Sequence, residues 1–178
     1  ADDPRLMELA ENTSRDVLLF GLSENAVVKA RTLIEKRLEL SFTLVLPTET
    51  ISVDLKTPAE FMVSNALAAA AVGYRLGLTA REIKEGLEDF EPVKGRMNIL
   101  KTPKGINIID DTYNANPGSM TEAIKTLNSL KGNNRGVLVA GDMLELGSHA
   151  ESMHREVGSI SAKSDISRLY VTGQFAES

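Results

Sequence analysis

The chain has 178 residues, of which 42% are hydrophobic and 25% charged, and its formal net charge is −5. Its basic residues are scattered, which argues against a nucleic-acid partner, and the absence of cysteine excludes disulfides and thiolate metal sites. The longest apolar run, residues 66–72, is too short to cross a membrane, and the first residues do not resemble a signal peptide, so we expect no membrane insertion and a cytoplasmic location.

In the first half of the chain we predict helices and antiparallel strands. An acidic start followed by a proline predicts a short helix over residues 5–11. Compact or alternating apolar runs predict strands over residues 17–21, 26–34, 38–46 and 51–55, and the last two have the alternation of half-exposed antiparallel strands. An alanine-rich stretch predicts a helix over 61–76, and a capping box at Thr79 and Glu82 opens another over 80–90.

The second half alternates strands with helices. Strands are predicted over residues 97–101 and 106–111, then a helix over 117–130 with Pro117 at its start. A buried strand over 136–141, a helix opened by a capping box at Ser148 and a last strand over 169–173 follow. Such alternation predicts parallel βαβ units. The chain stops where another helix should begin, so we expect both ends to lie inside a longer protein.

The most informative segment runs from residue 108 to residue 120. It places Asp110 and Asp111 at the carboxyl end of an apolar strand, before a polar loop and a helix start. Ligands of open α/β sheets bind at that edge. Carboxylates there can accept hydrogen bonds from ribose hydroxyls, and a helix N-terminus favours anions. The alternative is a loop whose Asp and Asn residues only make turns and caps. The residues alone leave both interpretations open.

Other candidate segments carry weaker signals. The acidic loop at residues 141–147 is better explained as a connection than as a ligand site. His149 and His154 lie about 140° apart on the predicted helix, so we expect surface or capping histidines and no metal site. Asn65 stands in a run of alanines, where a buried amide must bond a neighbour or read a base edge. No Walker loop is encoded, so no complete catalytic constellation is present.

Five motifs give the chain a family resemblance. They are Asn-Ala-Leu-Ala-Ala-Ala-Ala at residues 65–71, Gly-Arg-Met at 95–97, the segment at 110–120 that begins Asp-Asp-Thr-Tyr-Asn-Ala-Asn-Pro, Gly-Asp-Met-Leu-Glu-Leu-Gly at 141–147 and His-Arg-Glu-Val-Gly at 154–158. Together they resemble the Mur ligase superfamily. The resemblance implies an α/β protein in which residues 1–94 form the second half of a central ATPase domain, with helices and antiparallel strands. Residues 95–178 would begin a Rossmann-like, parallel-sheet C-terminal domain.

The resemblance also implies a reaction. The motifs at 110–117 and 141–147 are most similar to the member that adds D-alanyl-D-alanine to UDP-N-acetylmuramoyl-tripeptide. In that reaction ATP phosphorylates a peptide carboxylate, and an amine attacks the acyl phosphate. ATP and Mg²⁺ are implied, with the Walker loop and the principal magnesium ligands upstream of residue 1, so the chain alone should be inactive. Another Mur-type amide ligase, for a muramoyl peptide or folylpolyglutamate, and a free-standing nucleotide-binding module remain alternatives.

Site residues follow from the same resemblance. Asn65 corresponds to a residue that reads the adenine, and Arg96 to a catalytic arginine that reaches the phosphates from a hinge. Asp111 corresponds to the residue that holds the ribose, which leaves Asp110 to satisfy backbone donors or a cation. Tyr113 and Asn114 belong to the same nucleotide-binding motif. At residues 61–63 the chain has Phe-Met-Val where superfamily members usually have His-Asn, so an adenine contact from there is not implied.

Overall fold

The computed structural model describes residues 1–177, which form two compact units that divide between Glu91 and Pro92. Helices and strands are mixed in both units, which confirms the predicted α/β class. No helix among residues 1–177 is both long and apolar enough to cross a membrane.

The first unit is built on a four-stranded sheet with the order β1-β2-β3-β4. Its elements are the helix α1 (Pro4–Glu11), the strands β1 (Phe20–Gly21), β2 (Val28–Lys36), β3 (Glu39–Val45) and β4 (Thr50–Leu55), and the helices α2 (Met62–Arg75) and α3 (Ala80–Asp89). β2, β3 and β4 are antiparallel, as predicted, and β1 runs parallel to β2. The strand predicted over residues 17–21 shortens to two residues, because only these two pair with β2.

One face of this sheet carries the core of the unit. Leu40, Phe42 and Leu44 alternate along β3 and are between 0% and 1% exposed, because every second side chain of a strand points to the same face. Leu67 and Ala70 of α2 belong to the same buried cluster. The alanine-rich composition of α2 therefore serves close packing against the sheet.

Side chains of α3 close the outer edge of β4. β4 is the last strand of the sheet, so its outward backbone groups have no neighbouring strand. The Lys84 ammonium donates to the Ser52 carbonyl oxygen at 2.7 Å, and the Asp54 N–H donates to the Glu88 carboxylate at 3.0 Å. Lys84 and Glu88 also pair with each other. α3 thus satisfies edge groups that could otherwise pair with a foreign strand.

The second unit combines an antiparallel hairpin with a parallel strand pair. Its elements are β5 (Asn98–Lys101), β6 (Asn107–Asp110), α4 (Pro117–Lys131), β7 (Val137–Ala140), α5 (Ala150–Lys163) and β8 (Arg168–Val171). The predicted parallel crossover is present as β7–α5–β8. Within residues 1–177, β6 pairs with β5 alone, so the parallel sheet there has two strands rather than three. The short turn after β5 returns the chain beside it, which makes this pairing antiparallel.

β7 is only half buried, although its continuous apolar run predicts a buried strand. Leu138 packs in a cluster with Ile124 of α4 and Val157 of α5. Val137 and Val139 lie on the opposite face and are 48% and 72% exposed. The cluster therefore covers one face of β7.

Helix starts follow the sequence except at α5. The predicted capping box of α3 is present, and Pro117 is the first residue of α4. The capping box predicted at Ser148 is wrong, because Gly147–His149 form a 3₁₀ turn and no side chain caps α5. The residues before α5 already have a 3₁₀ conformation, whereas a capping residue needs extended backbone.

Candidate functional site

Arg96 lies between two residues with unusual backbone conformations. Gly95 has φ +76° and Met97 has φ +54°, both in the left-handed region. That region is open to glycine and unfavourable for methionine. Met97 is also buried, with 4% of its surface exposed. Its surroundings must therefore hold it in this conformation.

A hydrogen bond to Asp111 supplies part of that restraint. The Met97 N–H donates to Asp111 Oδ1 at 3.1 Å. Burial raises the pKa of Asp111 above its usual value, and the bond from Met97 and the charge of Arg96 oppose the rise. Asp111 Oδ2 has no hydrogen-bond partner within residues 1–177. A carboxylate with one oxygen bonded to the backbone and the other unused is suited to accept a ligand hydroxyl.

Tyr113 links the same two segments. Its N–H donates to the Gly95 carbonyl oxygen at 3.0 Å, and the Arg96 Cζ lies over its ring, 4.3 Å from the centroid. A Cβ at Gly95 would lie 3.2 Å from the Tyr113 nitrogen, so the close approach favours glycine. No salt bridge among residues 1–177 involves Arg96. Its charge is therefore restrained by an aromatic face and remains available to an anion.

The neighbouring polar residues serve local turns. Asp110 accepts the Thr112 hydroxyl at 2.7 Å, and Asn114 Oδ1 accepts the N–H of the next residue at 2.9 Å. We expected Asp110 to satisfy backbone donors or a cation. Instead Asp111 accepts a backbone N–H and Asp110 accepts a hydroxyl, because the segment at 95–97 passes beside Asp111. The structure thus brings Arg96, Asp111 and Tyr113 together.

Asn65 belongs to the first unit, at the rim of a cavity of about 310 Å³ between α2, α3 and the end of β4. The lining is largely apolar and includes Ala66, Ala69, Ile83, Leu87 and Phe90. Asn65 is exposed rather than buried as its sequence context suggested, and its Nδ2 donates to Met62 Sδ at 3.4 Å. Because a thioether sulfur is a weak acceptor, a better partner on a ligand can recruit the amide.

The acidic loop after β7 is held by the protein itself. Asp142 accepts the backbone N–H groups of Gln174 at 2.8 Å and Phe175 at 3.2 Å. These two bonds hold the pKa of Asp142 below its usual value. Asp142 is therefore engaged by backbone donors of its own unit.

His154 anchors the same loop and is not the surface or capping residue that we predicted. Its Nε2 accepts the Met143 N–H at 2.8 Å, so Nδ1 carries the proton and donates to the Ala150 carbonyl oxygen at 2.7 Å. His149 is exposed, as expected. Within residues 1–177 no three His, Cys, Asp or Glu residues are placed to hold a metal ion.

Met97 is the residue of this site that sequence reasoning missed. Its conformation depends on a partner 14 residues later in the chain. The neighbouring glycine, which favours a left-handed turn at this place, is the one local signal for it.

Two family models match most of the chain. The Mur ligase middle domain matches residues 1–73, and the domain described as Mur ligase, glutamate ligase domain, matches residues 95–178. The chain belongs to the Mur ligase family. The first match includes Asn65, and the second includes Arg96, Asp111, Tyr113 and Asn114.

Named Mur ligases are similar to the chain in sequence and in fold. The UDP-N-acetylmuramoyl-tripeptide–D-alanyl-D-alanine ligase of Escherichia coli is 40% identical over 133 residues, which is 75% of this chain. A crystal structure of MurF from Acinetobacter baumannii covers 97% of the chain at 34% identity, with a TM-score of 0.87. MurF from Thermotoga maritima in complex with ADP covers 99% at 27% identity, with a TM-score of 0.82.

These Mur ligases are much longer than the chain. The matched region is 29% of the Escherichia coli ligase. It is 37% of the Acinetobacter chain and 40% of the Thermotoga chain. The chain therefore spans about a third of the length of the relatives it matches.

Proposed function

We propose that this chain is part of an ATP-dependent Mur ligase that adds D-alanyl-D-alanine to UDP-N-acetylmuramoyl-tripeptide in cytoplasmic peptidoglycan synthesis. Relatives from Escherichia coli and Bacillus subtilis, 40% and 39% identical, bear the name of that reaction and support the substrate assignment. One observation carries the proposal: an unpaired Arg96 stacked on Tyr113 lies beside Asp111, a carboxylate with one free oxygen. Because the chain spans about a third of its relatives, the activity is that of a longer protein.

We assign residues 1–94 to the second half of the central ATP-binding domain. Residues 95–178 are then the first part of the Rossmann-like C-terminal domain. The antiparallel sheet of the first unit and the parallel strand pair of the second support this division. So does the change from one family model to the other between residues 73 and 95.

Arg96 is the proposed catalytic residue. Its guanidinium binds the phosphates of ATP and stabilises the charge that develops on the transferred phosphoryl group. The cation–π contact with Tyr113 suits this role, because it restrains the guanidinium without an acidic partner that would compete with the phosphate. Asp111 Oδ2 accepts a ribose hydroxyl. Tyr113 and Asn114 complete the contacts of this segment with the nucleotide.

Asn65 is the proposed contact to the base. A side-chain amide can donate and accept at once, which matches the amino group and ring nitrogen at the edge of adenine. The largely apolar cavity beside Asn65 suits a flat aromatic ligand. In the proposal, Asn65 supplies selectivity for the base and the apolar walls supply contact area.

Magnesium supplies charge neutralisation on the phosphates when it is bound. Residues 1–177 contain no group of three His, Cys, Asp or Glu residues that would hold it. We place its principal ligands in the part of the ligase that precedes this chain.

The test uses the full-length protein. Phosphate release should require ATP, UDP-N-acetylmuramoyl-tripeptide and D-alanyl-D-alanine together, and the product mass should rise by one dipeptide. The 178-residue chain alone should hydrolyse no ATP. Ligation of glutamate to a folate would instead identify a folylpolyglutamate-type ligase. ATP binding without ligation of any amino acid or peptide would identify a non-catalytic nucleotide-binding module.

A further inference from the structure

Both neighbours of Arg96 are bonded to the segment at residues 111–113. On one side the Gly95 carbonyl oxygen accepts the Tyr113 N–H at 3.0 Å. On the other side the Met97 N–H donates to Asp111 Oδ1 at 3.1 Å. The Arg96 side chain stacks on Tyr113. Arg96 is thus carried on a short stretch of backbone that is fastened at both ends to one loop.

We propose that Asp111 is a positioning residue for Arg96 as well as a ribose ligand, because its Oδ1 holds the Met97 N–H and so fixes the backbone that carries Arg96. The inference rests on the proposed function, in which Arg96 acts on the phosphates. One carboxylate then has two tasks. Oδ2 binds the nucleotide, and Oδ1 orients the cation that acts on the same nucleotide.

The conformation of Met97 shows why such a restraint is needed. A φ of +54° is unfavourable for a residue with a Cβ, so Met97 without its partner would relax toward the ordinary regions. That relaxation turns the chain at the residue next to Arg96. Gly95 cannot oppose it, because glycine is the most conformationally free residue. The buried Met97 side chain anchors the segment but does not by itself set φ.

Asparagine at position 111 separates the two tasks. Its Oδ1 can still accept the Met97 N–H, whereas its amino group cannot accept a ribose hydroxyl as the carboxylate does. Alanine removes both contacts. A purely ribose-binding Asp111 would therefore respond alike to the two substitutions, and a positioning Asp111 would not.

Steady-state kinetics of the full-length ligase, with ATP varied up to saturation, test this difference. Asp111→Asn should raise the KM for ATP about 10-fold and leave kcat within about 2-fold. Asp111→Ala should raise the KM similarly and also lower kcat by about 10-fold or more, since Arg96 no longer keeps its position. Hydrogen exchange at the Met97 amide should accelerate in Asp111→Ala and stay slow in Asp111→Asn. Asp110→Asn is the matched control and should leave the KM for ATP, kcat and Met97 amide exchange unchanged.

Equal kcat losses in the two variants would overturn the positioning role and leave the ribose contact and the ligase activity in place. Unchanged Met97 exchange in Asp111→Ala would overturn it as well. If Asp111→Ala fails to fold, Asp111→Leu, which has a similar shape and no acceptor, takes its place: a kcat about 10-fold below that of Asp111→Asn supports the role, and equal kcat values overturn it. A wild-type protein without ATP-dependent ligation would refute the proposed function, while the exchange measurement would still report on the restraint.

Discussion

The Arg96 guanidinium stacks on the Tyr113 ring, 4.3 Å from its centroid, and takes part in no salt bridge within residues 1–177. An aromatic face restrains a cation without neutralising it. A carboxylate partner would have to be displaced before a phosphate could bind. The pair therefore keeps Arg96 both ordered and available.

Replacing the aromatic ring should weaken catalysis by a modest factor. An exposed cation–π contact contributes about 0.5–1 kcal/mol, so Tyr113→Leu should lower kcat/KM for ATP about 2–5-fold in the full-length ligase. Tyr113→Phe keeps the ring face and should stay within about 2-fold of wild type. Equal losses in both variants would show that the hydroxyl, not the ring, matters.

Removing Arg96 should affect kcat more than ATP binding. A hydrogen bond to a charged group is worth about 1.5–3 kcal/mol, and we expect most of that loss in the transition state, so Arg96→Ala should lower kcat about 10–150-fold. Arg96→Lys keeps the charge without the planar donors, so its kcat should lie between those of the wild type and Arg96→Ala. A lower Tm with an unchanged kcat would instead make Arg96 a structural hinge residue.

Gly95 should tolerate alanine less well than another left-handed glycine does. Gly105 has φ +78° and nothing within 4 Å of an added Cβ, so Gly105→Ala reports backbone strain alone, about 1–2 kcal/mol. At Gly95 an added Cβ also meets Tyr113 backbone and side-chain atoms at 3.2 and 3.3 Å. Urea unfolding should therefore give a larger loss of unfolding free energy for Gly95→Ala. Equal losses would show that the Tyr113 segment yields without cost.

Asp111→Asn should stabilise the protein in a pH-dependent way. Burial raises the pKa of Asp111 from its usual value of 3.8, so the folded state disfavours the ionised carboxylate. The stability that this group contributes is complete below pH 3.8 and is lost as pH rises through the raised pKa. The amide avoids that loss, so its Tm should exceed that of wild type at pH 7, and the difference should shrink toward pH 4. A gain that is independent of pH would assign the effect to packing instead.

The edge contacts of α3 should contribute more than an exposed ion pair of the same helix. Glu88→Ala leaves the Asp54 N–H without its partner, and we expect a loss of about 1–2 kcal/mol in unfolding free energy. Arg81→Ala removes one partner of the Arg81–Glu85 pair, whose side chains are 85% and 60% exposed, and should cost less than about 0.5 kcal/mol. Urea unfolding of both variants decides, and equal losses would contradict a special role for the β4 edge.

Local patterns in the sequence predicted the elements in which apolar residues recur at the spacing of a buried face. The alternation of Leu40, Phe42 and Leu44 predicted β3, and Pro117 marked the start of α4. The resemblance selected Arg96 and Asp111 but gave no contact between their segments. Those contacts could not be predicted, because they join residues far apart in the chain. The 3₁₀ turn before α5 was missed because residues 147–149 are compatible with several backbone conformations.

The Asp142 carboxylate accepts hydrogen bonds from backbone N–H groups that follow β8. Successive N–H groups in such a turn form a concavity of the kind that captures phosphate in other α/β proteins. Here the N–H groups of Gln174 and Phe175 are occupied by a carboxylate from the same unit, whose pKa these bonds hold low. A free phosphate would have to displace a competitor whose effective concentration is set by covalent connection. The N–H groups of Gln174 and Phe175 are thereby less accessible to an external anion than the unpaired N–H groups of an empty turn would be.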